Sequence, residues 1–315
     1  MGEPLVWVRA VHFAATLSVT GAVLFVALLA EPAFRKADDR GEVSARVRPG
    51  LSAIEWISLA LVVVSGAAWL VIQSAQMGDV PWSEAVSEGL VQTVLLETGF
   101  GNDWIARTVL AALLAVTLAV ARPARGSSRR ADWLACVLAV ALAGTLAWAG
   151  HAAGTPDALG VVHVASDVLH LVAASAWVGA LVPLAIVIGS ALVHSDPAAS
   201  AVARETVMRF SMLGVVSVGT LVATGVVNSF VIVGSLHALI ATGYGRLLLL
   251  KLALFLAMLS LAAVNRIRLT PIIRNDRSAA PAAFERLRTN ALVEAAIGLV
   301  IVAVVGLLGT ISPTE

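Results

Sequence analysis

The fold class this sequence predicts is an all-α integral membrane protein: eight transmembrane helices in two related four-helix halves, with both termini extracytoplasmic. Three observations predict it. Of 315 residues, 59% are apolar and 13% charged, against roughly 45–50% and about 25% in a soluble domain. The apolar residues fall in blocks of about 20, each long enough to cross a hydrocarbon layer of roughly 30 Å at about 1.5 Å per residue. The second set of blocks also repeats the polar punctuation of the first. This composition excludes a soluble enzyme. A formal net charge of +1 without a long basic run excludes a nucleic-acid-binding surface. A single cysteine, Cys136, excludes a disulfide framework or a thiolate metal cage.

The eight apolar segments are 5–30, 51–73, 104–121, 131–149, 161–192, 210–233, 245–265 and 290–311. Each reads as a helix, because lipid offers no water to satisfy open backbone groups. The first is expected to be retained and not cleaved as a signal peptide, since it is long, carries Glu3 and Pro4 in place of a basic leader, and contains His12. Orientation follows from the connections. Arg35, Lys36, Arg40, Arg46 and Arg48 follow the first segment, and Arg122, Arg125, Arg129 and Arg130 the third. Arg204 and Arg209 follow the fifth, and Arg266, Arg268, Arg274, Arg277, Arg286 and Arg288 the seventh. The connections at 74–103, 150–160 and 234–244 contain no Lys or Arg. The positive-inside rule therefore places these three loops and both termini outside the cytoplasm.

The halves divide as residues 1–150 and 151–315. Thr98-Gly99-Phe100-Gly101, five residues, Arg107, fourteen residues and Arg122 is matched by Thr242-Gly243-Tyr244-Gly245, five residues, Lys251, fourteen residues and Arg266. His12, Ala15, Gly21 and Ala22 match His170, Ala173, Gly179 and Ala180 at identical spacing, and Ser65-Gly66 matches Thr224-Gly225. Each half has an even number of crossings, so the halves enter the membrane in the same sense and their symmetry axis runs along the membrane normal. The loop at 74–103, with Asp79, Glu84, Glu88, Glu97 and Asp103 beside Trp82 and Trp104, reads as a solvated outer loop with aromatic anchors. Glu55 and Glu294 read as acids near cytoplasmic helix N-termini.

Five of the six histidines, His12, His151, His163, His170 and His237, fall toward the outer side, and His194 toward the cytoplasm. On the fifth segment His163, Asp167 and His170 stand at i, i+4 and i+7, one narrow helical stripe. Imidazole and carboxylate suit Cu(II), zinc or iron. Pseudo-symmetry relates His12 to His170, so the two are expected to face each other, and a metal set of His12, His163, Asp167 and His170 follows. His151, His237, Arg9, Asn228, Arg107 and Lys251 are further candidates around it. Arg9 precedes His12 as Asp167 precedes His170, which makes an Arg9–Asp167 ion pair a further expectation. Ionisable groups within a membrane mark pathways or sites by default. The alternatives are plain: a histidine bonded to a neighbouring helix, snorkelling by Arg107 and Lys251, and helix-to-helix hydrogen bonding by Asn228, Thr224 and Ser65. No phosphate-cradling loop, nucleophile elbow or zinc-protease signature is present.

The run from Asp167 through His170, Trp177 and Gly179 to Pro183, then Arg209, Thr224-Gly225, Gly243-Tyr244-Gly245-Arg246, Lys251 and Asn265-Arg266, resembles the copper resistance protein D (CopD) family. The resemblance implies an eight-helix protein of the bacterial inner membrane that serves copper uptake or homeostasis and is not an enzyme. It also implies a periplasmic CopC-like copper carrier as a partner, expected as a separate chain. The stretch from His170 to Pro183 is also similar to the membrane protoporphyrinogen oxidase HemJ family. That similarity implies a redox alternative: a haem held between His12 and His170, with Arg9, Arg107 or Lys251 near its propionates. A scaffold that only docks a copper carrier is the third class.

Overall fold

The structure is a computed structural model, which describes residues 3–37, 41–121, 128–149, 157–194, 196–233, 236–276, 278 and 280–311. The described residues are overwhelmingly helical and include no strand. The first half contains α1 (Glu3–Phe25), α2 (Glu31–Lys36), α3 (Glu42–Gly78), α4 (Trp82–Ser87), α5 (Leu90–Glu97), α6 (Gly99–Ala121) and α7 (Arg129–Gly144), the last continued by a 3₁₀ turn, Thr145–Ala149. The second contains α8 (Asp157–Val178), α9 (Leu181–His194), α10 (Pro197–Val233), α11 (Leu236–Ala241), α12 (Gly243–Val264), α13 (Thr270–Asn275) and α14 (Ala280–Leu308). Among the described residues eight helical spans are long and apolar enough to cross a membrane, and they coincide with the eight apolar segments.

Several helices run well beyond their apolar cores. α3 and α10 are 37 residues each, or about 55 Å, because hydropathy marks only the part in lipid while the backbone ladder continues into water. The stretch read as a solvated loop at 74–103 is accordingly mostly helical, as the end of α3 followed by α4 and α5. Trp82 is 69% exposed, whereas Trp104 is buried, so only the first fits an interfacial anchor. Glu55 and Glu294 lie deep inside α3 and α14 and not at helix starts. Both are buried, and Glu294 accepts a hydrogen bond from Asn265 Nδ2 at 2.7 Å.

Proline sets the irregularities. Pro32 and Pro271 follow π-helical turns at Val26–Ala30 and Asn265–Leu269. Each ring lacks an N–H and crowds the carbonyl four residues back, which lies inside the widened turn. Pro183 likewise withholds a hydrogen bond from Gly179, where the fifth span breaks into α8 and α9.

The halves meet along α1 and α8. A Cβ on Gly21 would overlap the Ser175 carbonyl and the backbone of Gly179, and one on Gly179 would overlap the carbonyl of Leu17. Backbone touches backbone here, and the two contact glycines are the pair the repeat aligns. Around the arginine-rich end, Phe25, Leu29, Leu51, Trp177, Leu184, Ile188 and Phe284 belong to one buried apolar cluster. Ion pairs tie that end together: Lys36 to Glu205, Arg48 to Glu31 and Arg46 to Asp196, each at 2.9 Å. Asp196 also caps α10. The Ala199 N–H first, and the Arg46 guanidinium after it, hold the Asp196 carboxyl below the usual carboxylate range.

The Thr-Gly-aromatic-Gly motifs take the same role twice. Thr98 Oγ1 accepts from the Gly101 N–H at 3.0 Å and Thr242 Oγ1 from the Gly245 N–H at 2.9 Å, so each threonine caps the third span of its half. Thr98→Ala and Thr242→Ala are each expected to cost about 1 kcal/mol, seen as a lowered thermal unfolding midpoint in detergent, with serine at either position restoring most of it.

Candidate functional site

Two related clusters occupy the end of the bundle opposite the arginine-rich connections. In the first half, His12 on α1 places Nδ1 3.0 Å from Ser65 Oγ on α3. In the second, His170 on α8 places Nδ1 2.9 Å from Thr224 Oγ1 on α10. A hydroxyl has one proton to give. Ser65 donates it to the Leu61 carbonyl and Thr224 donates it to the Thr220 carbonyl at 2.7 Å, so each hydroxyl accepts from its histidine. Both imidazoles therefore carry their proton on Nδ1 and present a lone pair at Nε2, the arrangement that prepares a histidine to bind a metal or accept a proton. The glycines beside the hydroxyls differ in role. A Cβ at Gly66 would meet the Trp104 ring at 2.8 Å, whereas one at Gly225 would lie 3.8 Å from His170 Cε1, an ordinary contact.

Each histidine lies nine residues before the glycine at which α1 and α8 touch, and nine residues at about 100° apiece amount to about half a turn beyond two full turns. His12 and His170 therefore point away from the helix contact, each into its own half. They do not face each other as the aligned sequence suggests, and a single haem ligated by both does not fit this placement.

The surroundings differ sharply. His12 is wholly buried, its ring 5.5 Å from that of Trp69 and 5.3 Å from that of Trp104. The Arg9 guanidinium lies 4.8 Å over Trp69, and that of Arg107 lies 4.6 Å over Trp104. Arg107 pairs with Asp103 and donates to Thr145 Oγ1 and its carbonyl, each at 3.0 Å. Arg9 donates to the Ala149 carbonyl at 3.2 Å and forms no ion pair with Asp167. Asp167 instead accepts from Asn228 Nδ2 on α10 at 3.2 Å. Because a carboxylate oxygen only accepts, the Asn228 amide orientation is fixed, and its Oδ1 is left buried without a partner. Lys251 is electrostatically coupled to Asp167 and to His170. His163 is buried, one turn from Asp167. His237 lies exposed on α11, away from this stripe in sequence, and His151 lies outside the described residues.

Residues 1–161 match the family described as Copper resistance protein D-like, N-terminal domain, and residues 204–308 match Copper resistance protein D. The chain is 32% identical over 291 residues, 91% of each chain, to copper resistance protein D of Pseudomonas syringae pv. tomato. It is 31% identical over 306 residues, 97% of each, to inner membrane protein YebZ of Escherichia coli strain K12. This chain belongs to the copper resistance protein D family. A shorter match, 33% identical over 197 residues, covers 62% of this chain and 36% of the copper transport protein CutJ of Bacillus subtilis strain 168. No solved structure matches. Membership together with the eight spans makes it a multi-pass inner membrane protein.

For a member of the copper resistance protein D family the donor chemistry is apt, but its layout is not a closed cage. Among the described residues no three His, Cys, Asp or Glu side chains form a group able to hold a metal ion. Helix geometry explains why. His163 and His170 stand about 10 Å apart along α8, whereas a ligated ion sits about 2 Å from each donor. The stripe therefore offers successive pairs, His163 with Asp167 and Asp167 with His170, and not one three-ligand shell. Asn228 and Thr224 are the partners that a single helix cannot reveal. The aligned Ser65-Gly66 and Thr224-Gly225 dipeptides were the signal for the second of them.

Proposed function

We propose that this chain accepts copper at the extracytoplasmic face and passes it toward the membrane interior along the second half, in the service of copper uptake or homeostasis. His163, Asp167 and His170 serve as successive donors, Asn228 adds a carbonyl oxygen, and His12 stands apart in the first half. The observation that carries this reading is the trio on α8 and α10: an imidazole lone pair set by Thr224, the Asp167 carboxylate, and the unpartnered Asn228 Oδ1. Nitrogen and oxygen donors of this kind suit Cu(II). Lys251, two turns into α12, supplies a positive charge near Asp167 that an arriving copper ion would replace, and Tyr244 at the start of α12 borders the same position. A CopC-like periplasmic carrier, as a separate chain, is the donor that fits an outward-facing acceptor of this sort.

Metal analysis of the detergent-purified full chain beside its absorption spectrum tests the reading. Stoichiometric copper without a Soret band is the expected result; a Soret band with no copper uptake overturns it in favour of haem. Copper affinity is also expected to fall as the pH is lowered, because a protonated imidazole cannot ligate a metal. Affinity at pH 5 equal to that at pH 7 would rule out imidazole ligation.

A further inference from the structure

The repeat superposes more than the histidines. Counting 158 residues from His12 to His170 also carries Arg9 to Asp167, and counting 159 from Ser65 to Thr224 also carries Trp69 to Asn228. Both derived pairs are contacts. Asp167 and Asn228 are hydrogen-bonded at 3.2 Å, and the Arg9 guanidinium stacks on Trp69 at 4.8 Å. The frame of an imidazole held by a hydroxyl across two helices is kept in both halves. The pair one turn outward keeps its contact and exchanges its chemistry, from acid and amide to guanidinium and indole.

The unpartnered buried atoms beside the two histidines differ among the described residues. Next to Asp167 the atom left over is an acceptor, Asn228 Oδ1; around His12, apart from the Nε2 of His12 itself, they are the N–H donors Arg9 Nε, Arg107 Nη1, Trp69 Nε1 and Trp104 Nε1. Acceptors favour a cation, whereas donors and two guanidinium groups oppose one. Asp103 offsets only one of those two charges, since among the described residues the polar partner of Arg9 is the carbonyl of Ala149. In a medium of low dielectric a further positive ion beside Arg9 is strongly disfavoured. His12 has the same prepared lone pair as His170, yet stands in a pocket whose cation position is already filled by the protein's own side chain.

We propose that the two halves are functionally unequal: the second holds one copper ion, and the first is an inherited copy of the site closed to metal by Arg9 and Trp69. The proposal rests on the copper reading above and adds to it the stoichiometry and the residues that set it.

Copper titration of the full-length protein in detergent, with metal analysis, tests this. The wild type is expected to bind one copper per chain. His12→Gln and Ser65→Ala are expected to keep that ratio, whereas His170→Gln abolishes it. The double variant Arg9→Asp/Trp69→Asn, which gives the first half the second half's residues, is expected to raise the ratio to two. Two coppers on the wild type, or an equal loss of binding in folded His12→Gln and His170→Gln, overturns the inequality while leaving copper binding intact. A ratio of one in a double variant with a wild-type melting profile overturns the assignment to Arg9 and Trp69. No copper on the wild type overturns both readings together.

Discussion

Gly21→Leu and Gly179→Leu are each expected to abolish accumulation of folded protein, and the alanine substitutions to lower the thermal unfolding midpoint sharply. Overpacking usually costs about 1–3 kcal/mol, because a crowded side chain can turn aside. That relief is missing here. The atoms that a Cβ would meet at Gly21 are the Ser175 carbonyl and the Gly179 backbone, and at Gly179 they are the Leu17 and Ser175 carbonyls and Gly21 Cα. Only separation of α1 from α8 removes the contacts made across the two helices, and the Ser175 carbonyl, four residues before Gly179, adds one that separation does not relieve. Close approach through small residues is also how helices associate in lipid, where apolar surface gains nothing by leaving the bilayer for another helix. Separating this pair would disturb the packing on both sides, since α1 and α8 each carry a histidine cluster on the far face. Fluorescence-detected gel filtration after a heating series provides the measurement. Gly214→Ala and Gly219→Ala, where an added Cβ meets nothing within 4 Å, are the controls and are expected to leave the midpoint unchanged. Equal behaviour of Gly21→Ala and Gly214→Ala would refute the crossing as described.

The contrast between these glycines marks what a sequence makes legible. Helices were legible because lipid imposes one solution on every apolar block of sufficient length. The Gly21–Gly179 contact was half legible: equal spacing from His12 and His170 identified the pair as equivalent, but only helix rotation shows that the glycines touch while the histidines turn away. The helices at 82–97 were illegible for a related reason, since they lie outside the apolar blocks on which the reading rested. Within the site, the stripe on α8 was visible from its i, i+4, i+7 spacing. Asn228 and Thr224 on α10 were visible as candidates, but which α8 side chain each one meets was not, because the registry between α8 and α10 is set by packing and leaves no local period. The reversal of chemistry at Arg9 and Trp69 appears only when registry is known for two helix pairs at once.

Thr224→Val is expected to weaken copper binding by roughly 10–100-fold without removing a ligand, the range usual for losing a partner that orients a metal-binding histidine. The native hydroxyl gives its proton to the Thr220 carbonyl and so accepts only from His170 Nδ1. Valine keeps the shape and loses the acceptor. The imidazole is then free to carry its proton on Nε2, the nitrogen that copper needs, and free to rotate as well. Thr224→Ser keeps the acceptor and is expected to bind within a few-fold of wild type. His170→Ala and Asp167→Asn delete the donor and the charge themselves and are expected to lower affinity further, beyond the range of a competition titration against a chromophoric copper chelator. The order of effects matters more than any one value. If Thr224→Val and Thr224→Ser bind alike, the hydroxyl does not set the tautomer, and His170 would have to act in some role other than a lone-pair donor. Ser65→Val, the equivalent change in the first half, supplies the matched comparison: it removes the same hydrogen bond from His12 and is expected to leave copper affinity untouched, because the ion is held where Asp167 and Asn228 stand, not where Arg9 and Trp69 do.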